Sequence, residues 1–241
     1  MKMFRFVFDI DGTLTPSRQK IDPEFGKWFL QFCKEEPVFL VTGSDYPKVI
    51  EQLGEDICYY VKRVFACSGN DIWMQGQNIQ TNNWTLPDEC RRWLGDELIR
   101  SPYPEELRAG NHLEERPGCV NFSIVGRNAN LEQRDRYVQY DNYNKERLQI
   151  QRTFNYIFAE SNLKVMAKIG GETGLDIYPI GKDKSQVIQH FRPYDDIVFF
   201  GDRMEEGGND KPFADVNTKG VNHHVDGWRH TWEILRTTYT G

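Results

Sequence analysis

The apolar run from Phe4 to Ile10 carries Asp9 near its end and is followed at once by Asp11, Gly12 and Thr13, in FVFDIDGTLTPSRQK. A run this apolar predicts a strand buried on both faces, as in a parallel sheet covered by helices. Carboxylates at the end of a buried strand are costly unless cations or hydrogen-bond donors meet them. The residues at the ends of the other strands therefore decide what this one is for.

The first eighty residues alternate short apolar runs with helical patterns, the signature of strands joined by crossover helices. A helix is expected over Ile21 to Cys33, with Asp22 as N-cap, Pro23 at the first helical position and Phe25, Trp28, Phe29 and Phe32 on its buried face. Val38 to Val41 reads as the second strand, GSDYPKVIEQL as a helix capped by Ser44 or Asp45, and Val64 to Ala66 as the third strand. DIWMQGQNIQ reads as a hairpin turning at Gly76. From about Thr81 the pattern becomes α+β. A helix is expected from Pro87 to Ile99, two strands around HLEERPGCVNFSIVGR, a helical pair from Leu131 to Glu160, and strands at Leu163 to Ile169 and Leu175 to Tyr178. It then returns to α/β, with a helix from Lys184 to Phe191, a strand from Ile197 to Phe200, a short strand near Gly220 to His223 and a last helix through Trp232. The expected organisation is a core in two parts, residues 1–80 and 181–241, with a second domain inserted at 81–180.

Composition excludes several classes of partner. A formal charge of −6 sets the whole-molecule field against nucleic acid and anionic membranes. No apolar run is long enough to span a bilayer, and the N-terminus lacks a signal-peptide pattern, so a cytoplasmic protein is expected. Five scattered cysteines without metal-ligand spacing read as reduced, mostly buried thiols. The adjacent His223 and His224 point to opposite sides of a strand and read as structural.

In an open parallel sheet, ligands bind beyond the carboxyl ends of the strands. The residues delivered there are Asp9 and Asp11 after the first strand, Thr42 and Ser44 after the second, Lys184 at the helix after the insertion, and Asp202 in IVFFGD with Asp210 close behind. Carboxylates brought to one point repel each other unless a cation sits among them, and hard oxygen ligands suit Mg²⁺. A carboxylate beside a metal and a lysine can attack phosphorus, dividing one displacement into two through an aspartyl-phosphate. Asp9 is the candidate nucleophile. Asp11 is the candidate acid that protonates the leaving oxygen and the base that activates the incoming hydroxyl. Gly12 and Thr13 allow the sharp turn that exposes backbone N–H groups to phosphate. A lone DxD is also what an ordinary strand-end turn looks like; it is the strand, the Thr or Ser, the Lys and the distal GD in sheet order that favour chemistry.

That order of elements resembles the haloacid dehalogenase superfamily of phosphotransferases. The flanking segments DIDGTLTPSRQK, GSDYPKVIEQLG, RPGCVNFSIVGRN, LEQR, GGETGLDIYP, GKDK and FFGDRMEEGGND resemble, more narrowly, the eukaryotic-type phosphomannomutase family, from residue 4 to about 235. The resemblance implies a Rossmannoid α/β core, its parallel sheet covered by helices on both faces, with an inserted α+β cap. It also implies interconversion of mannose 6-phosphate and mannose 1-phosphate, a Mg²⁺ requirement, a hexose 1,6-bisphosphate activator and a homodimer formed through the cap. Position by position it makes Asp9 nucleophile and Asp11 acid/base, and places Mg²⁺ at Asp9, Asp11 and Asp202. Sugar-phosphate contacts fall on Arg18, Arg116, Arg127, Arg134, Gly174 and Asp176. A second, structural cation falls on the Phe213 carbonyl, Asp215 and Thr218, where a capped helix end is the competing reading. Arginines suit the task because a mutase must hold the non-reacting phosphate, and guanidinium binds phosphate bidentately at fixed charge.

The chain departs from the family at Gly174, where the family carries Ser, and at Arg203, where it carries Lys; Glu205 and Glu206 then add negative charge. Two other readings stand beside the mutase. One is a Mg²⁺-dependent sugar-phosphate phosphatase, the same core with water as acceptor. The other is a catalytically silent sugar-phosphate-binding protein, disfavoured because Asp9, Asp11, Lys184 and Asp202 are all present.

Overall fold

The computed structural model describes residues 4–240. The chain divides into two compact units, one running to Asn82 and resuming at Gly181, the other Asn83–Ile180. In chain order the first unit begins with β1 (Phe4–Phe8), α1 (Pro23–Glu35), β2 (Val38–Val41), α2 (Tyr46–Leu53), α3 (Glu55–Tyr60), β3 (Arg63–Ala66), β4 (Asp71–Met74) and β5 (Gln77–Thr81). The inserted unit holds α4 (Asp88–Arg100), β6 (Leu113–Arg116), β7 (Cys119–Phe122), α5 (Leu131–Asn144), α6 (Glu146–Phe158), β8 (Val165–Gly170) and β9 (Gly174–Pro179). The first unit then closes with a 3₁₀ segment (Lys184–His190), β10 (Asp196–Gly201), α7 (Lys211–Val216), β11 (Val221–His224), α8 (Trp228–Ile234) and a π turn (Leu235–Tyr239).

The first unit's sheet runs β11-β10-β1-β2-β3-β4-β5. Its five strands from β11 to β3 are parallel, and the β4–β5 hairpin adds an antiparallel edge. Both faces are buried. Phe6 and Phe8 of β1 join α1, α2 and α3 in one core, whereas Val7 joins Val187 and Phe213 in another on the opposite face. This places β1 in the interior of the sheet and its carboxyl end at the centre of one edge.

Local signals explain the helices. Asp22 accepts from the Glu24 and Phe25 N–H groups at 3.0 and 3.1 Å, and Pro23 opens α1, so Phe25, Phe29, Phe32 and Cys33 fall on its buried face. Of the two residues expected to cap α2, Asp45 does so, accepting from the Lys48 N–H at 3.1 Å. Gln75 and Gly76 both have positive φ, which closes the β4–β5 hairpin at the expected turn. All five cysteines are buried thiols.

Some expectations need correction. β1 ends at Phe8 rather than Ile10, because the Ile10 carbonyl is taken up by the N–H groups of Thr13, Leu14 and Thr15 in a tight turn. The segment after Lys184 is a 3₁₀ helix, not an α-helix, opened by Asp183, which accepts from the Ser185 N–H. The short helix α3 had no expected counterpart, since six residues are too few for a legible period, whereas α7 is the helix implied by the competing reading at Phe213, Asp215 and Thr218.

The inserted unit is a four-stranded antiparallel sheet, β6-β7-β9-β8. Val120, Phe122, Leu175, Ile177 and Ala167 line one face and pack with Leu94, Tyr137, Ile150 and Phe154 of α4, α5 and α6. By the two-residue period of strands, Arg116, Asn121 and Asp176 lie on the other face.

Candidate active site

Asp9 follows β1 directly; its N–H donates to the Phe200 carbonyl at 2.9 Å, which ties the position to β10. Its carboxylate is buried, and the equally buried Lys184 ammonium donates to Asp9 Oδ1 at 2.5 Å and to Asp210 Oδ1 at 2.7 Å. Asp202 follows β10. Carboxylate oxygens of Asp9, Asp202 and Asp210 all lie within 4.8 Å of one another. Asp210 is held at the start of α7 by the Arg203 N–H, which donates to Oδ2 at 3.1 Å.

Three carboxylates against one ammonium leave two uncompensated negative charges in a buried place. The consequence is visible in the proton affinities of Asp9 and Asp202. Burial, then the charge of Asp210, raises the Asp9 carboxyl well above its ordinary range despite Lys184, and the same two causes push Asp202 up to about 6. Burial works against the charge on Lys184, but Asp210 and Asp9 outweigh it and hold the ammonium charged. The cluster lacks positive charge. An all-oxygen, all-carboxylate donor set short of two charges fits a divalent cation such as Mg²⁺, and Asp9, Asp202 and Asp210 are the side chains that would hold it.

Asp11, expected among the metal ligands, does not have its carboxylate in this cluster. Oδ1 accepts from the Arg18 N–H at 2.5 Å and from Gln52 Nε2 at 2.9 Å, and Oδ2 from Ser44 Oγ at 3.4 Å. Ser44 is in turn placed by its N–H, which donates to Thr42 Oγ1 at 3.1 Å. Gln52 was not singled out from the sequence. Its signal was a polar residue three positions after Val49 on the buried stripe of α2, and it is 2% exposed. Arg18 itself sits in a left-handed conformation, φ 58°.

At Gly12 the turn after β1 lies against the Asp202 carboxylate. The Gly12 φ of +80° suits glycine, and a Cβ there would run into the Asp202 carboxylate. Gly12→Ala is therefore expected to displace Asp202 and weaken Mg²⁺ binding by about tenfold or more, the scale of lost support around a metal ligand. Calorimetric titration of Mg²⁺ checks it; unchanged affinity would rule out this coupling. Beside Gly12 and Asp202 opens a cavity of about 650 Å³, lined also by His224, Asp226, Trp228 and His230.

The inserted unit gathers a second polar group. Arg116 Nη2 donates to Glu114 Oε2 at 3.1 Å, and Arg127 Nε donates to the same oxygen. Burial opposes the Glu114 charge, but Arg116 and then Arg127 outweigh it and lower its carboxyl below the usual range. Asp176 lies near enough to help keep Arg116 charged against its own burial. Arg134 is buried on α5, with Nη2 at 3.4 Å from Glu172. Glu114 was missed in the sequence, where it is one of two adjacent glutamates with nothing to separate them. Two residues of the expected second cation set have partners within the protein. The Phe213 carbonyl accepts from the Asn217 N–H at 3.0 Å, Asp215 accepts from Lys211 through both oxygens at 2.8 and 2.9 Å, and Thr218 is exposed.

The family model of the eukaryotic phosphomannomutases matches residues 27–240. The chain belongs to that family. Phosphomannomutase from Spinacia oleracea is 33% identical over 96% of this chain and 95% of its own length. The Schizosaccharomyces pombe phosphomannomutase is also 33% identical, over 89% and 86%. Among solved structures, SMU.1108c from Streptococcus mutans superposes with a TM-score of 0.67 at 12% identity, each chain fully covered. A haloacid dehalogenase-like hydrolase from Bacteroides thetaiotaomicron gives 0.57 at 14%, covering 92% of this chain and 88% of its own. At such identities the structures establish the shared fold, a haloacid dehalogenase-like core. The family carries the chemistry.

Proposed function

We propose that this chain interconverts mannose 6-phosphate and mannose 1-phosphate through an aspartyl-phosphate on Asp9 and a hexose 1,6-bisphosphate. The observation that carries the reading is the group of buried Asp9, Lys184 and Asp210 with half-buried Asp202, short of two positive charges, in a chain whose family is that of the phosphomannomutases. Bound Mg²⁺ would neutralise charge on the transferring phosphoryl group and on the carboxylates around it.

In this reading an Asp9 oxygen attacks phosphorus of the bisphosphate, the bond from phosphorus to the sugar oxygen breaks, and Asp11 delivers its proton to that oxygen. In the return half, Asp11 takes the proton from the hydroxyl at the other end of the monophosphate as that oxygen attacks the phosphoryl group on Asp9. Ser44, Gln52 and the Arg18 N–H hold the Asp11 carboxylate, and Thr42 holds Ser44. Lys184 balances charge on Asp9 throughout. Arg116, Arg127 and Arg134 are assigned to the non-reacting phosphate, Asp176 and the backbone at Gly174 to the sugar. A cation at Phe213, Asp215 and Thr218 would have to displace Lys211 from Asp215.

Phosphorus NMR of mannose 1-phosphate with Mg²⁺ and a trace of hexose 1,6-bisphosphate tests the reading. Accumulating mannose 6-phosphate is the expected result. Inorganic phosphate alone would overturn it in favour of a phosphatase. Asp11→Asn is expected to reduce isomerisation by about 10² or more, the usual worth of general acid and base catalysis. Near-normal turnover in that variant would remove Asp11 from the proton transfers.

A further inference from the structure

Asn121 stands in β7, whose four residues are all buried. It pairs across the ladder with Asp176 on one side and Glu114 on the other, and Asp176 pairs onward with Lys168. The four side chains form one polar row on the sheet face opposite the helices. Asn121 Nδ2 donates to Asp176 Oδ1 at 2.6 Å. The amide can face the carboxylate only through nitrogen, because its oxygen would repel it.

That orientation leaves Asn121 Oδ1 buried with no hydrogen-bond partner. A buried acceptor without a donor costs stability, and a leucine of nearly the same shape would avoid the cost. The amide also depends on position 174. A Cβ on Gly174 would come within 2.6 Å of Asn121 Oδ1 and 2.7 Å of Nδ2, so any side chain there would claim space that the amide occupies.

We propose that Asn121 is a positioning residue for sugar recognition: its amide holds the Asp176 carboxylate in the orientation that receives the sugar hydroxyls, in space that Gly174 leaves open. The proposal rests on the mutase reading and on the assignment of Asp176 to the sugar. Carboxylate acceptors pointed at hydroxyl donors tell one hexose epimer from another, provided their direction is fixed.

The test is steady-state kinetics of Asn121→Leu, Gly174→Ser and the double variant with mannose 1-phosphate and glucose 1-phosphate, beside thermal melting. Asn121→Leu should raise KM for the mannose substrate about tenfold, the scale of one hydrogen bond to a charged group, with kcat within about twofold. Preference between the two epimers should narrow, and the melting temperature should hold, because removing the orphaned acceptor offsets the lost bond to Asp176. Gly174→Ser should shift KM in the same direction by dislodging the amide, and should add nothing in the Asn121→Leu background. Unchanged KM, or a fall in kcat together with a lower melting temperature, would make Asn121 a structural residue and overturn the proposal. Wild-type protein that turns over neither sugar phosphate would overturn the mutase reading and this proposal with it, whereas an active wild type with an indifferent Asn121→Leu overturns this proposal alone.

Discussion

Asp9→Asn is expected to lower turnover by on the order of 10⁴-fold or more, the scale on which loss of a covalent nucleophile acts. An amide oxygen does not displace a sugar oxygen from phosphorus, and it is a weaker ligand for a divalent cation. Loss of fold would not be the cause. Burial and Asp210 raise the Asp9 carboxyl, so its negative charge is a burden on the metal-free protein, and a neutral side chain of the same shape should leave thermal stability equal or higher. Acid-quenched labelling with a phosphoryl donor should find no aspartyl-phosphate in the variant. A trapped phosphoenzyme would move the nucleophile to another residue.

Lys184→Met is expected to have the largest effect on stability. It removes the buried ammonium that lies against Asp9 and Asp210, at 1% exposure, and leaves the three clustered carboxylates without that cation. Removing one partner of a buried ion pair costs about 3–5 kcal/mol. Urea unfolding should show a loss of that size, and saturating Mg²⁺ should restore part of it by binding only the folded state. A loss below about 1 kcal/mol, the value of a surface pair, would mean that Lys184 does not balance the site.

The same charge deficit sets a pH dependence for the metal-free protein. Carboxyls raised in the folded state bind protons more tightly there than in the unfolded chain, where aspartate titrates near ~3.9. Raising the pH from about 4 through the value near 6 reached by Asp202, and on through the raised Asp9, should therefore lower stability. Lys184, itself raised, contributes across this whole range and loses its charge only in strong alkali. Denaturant midpoints at pH 5 and pH 8, with and without Mg²⁺, check the sign: the metal-free midpoint should fall with pH and Mg²⁺ should reverse the trend.

The alternation of strands and helices in the first unit is legible along the chain, because an apolar run buried on both faces and a capped helical stripe are local patterns. Asp22 before Pro23, and Gly76 in its hairpin, specify their structures without help from distant residues. The same holds for which carboxylates and which lysine gather at the strand ends, since the order of elements in a parallel sheet brings the residues after β1, β2 and β10 to one edge. How those groups are shared is set by packing and was not legible in advance. Asp9, Asp202 and Asp210 cluster around Lys184, while Asp11, two residues from Asp9, is turned to Gln52 and Ser44. Adjacent positions around a tight turn point in directions that only the packed turn fixes. Likewise Glu114, Gln52 and Asn121 are ordinary polar residues along the chain, and became part of the two polar groups only when α2 and the β6-β7-β9 ladder placed them against charged partners.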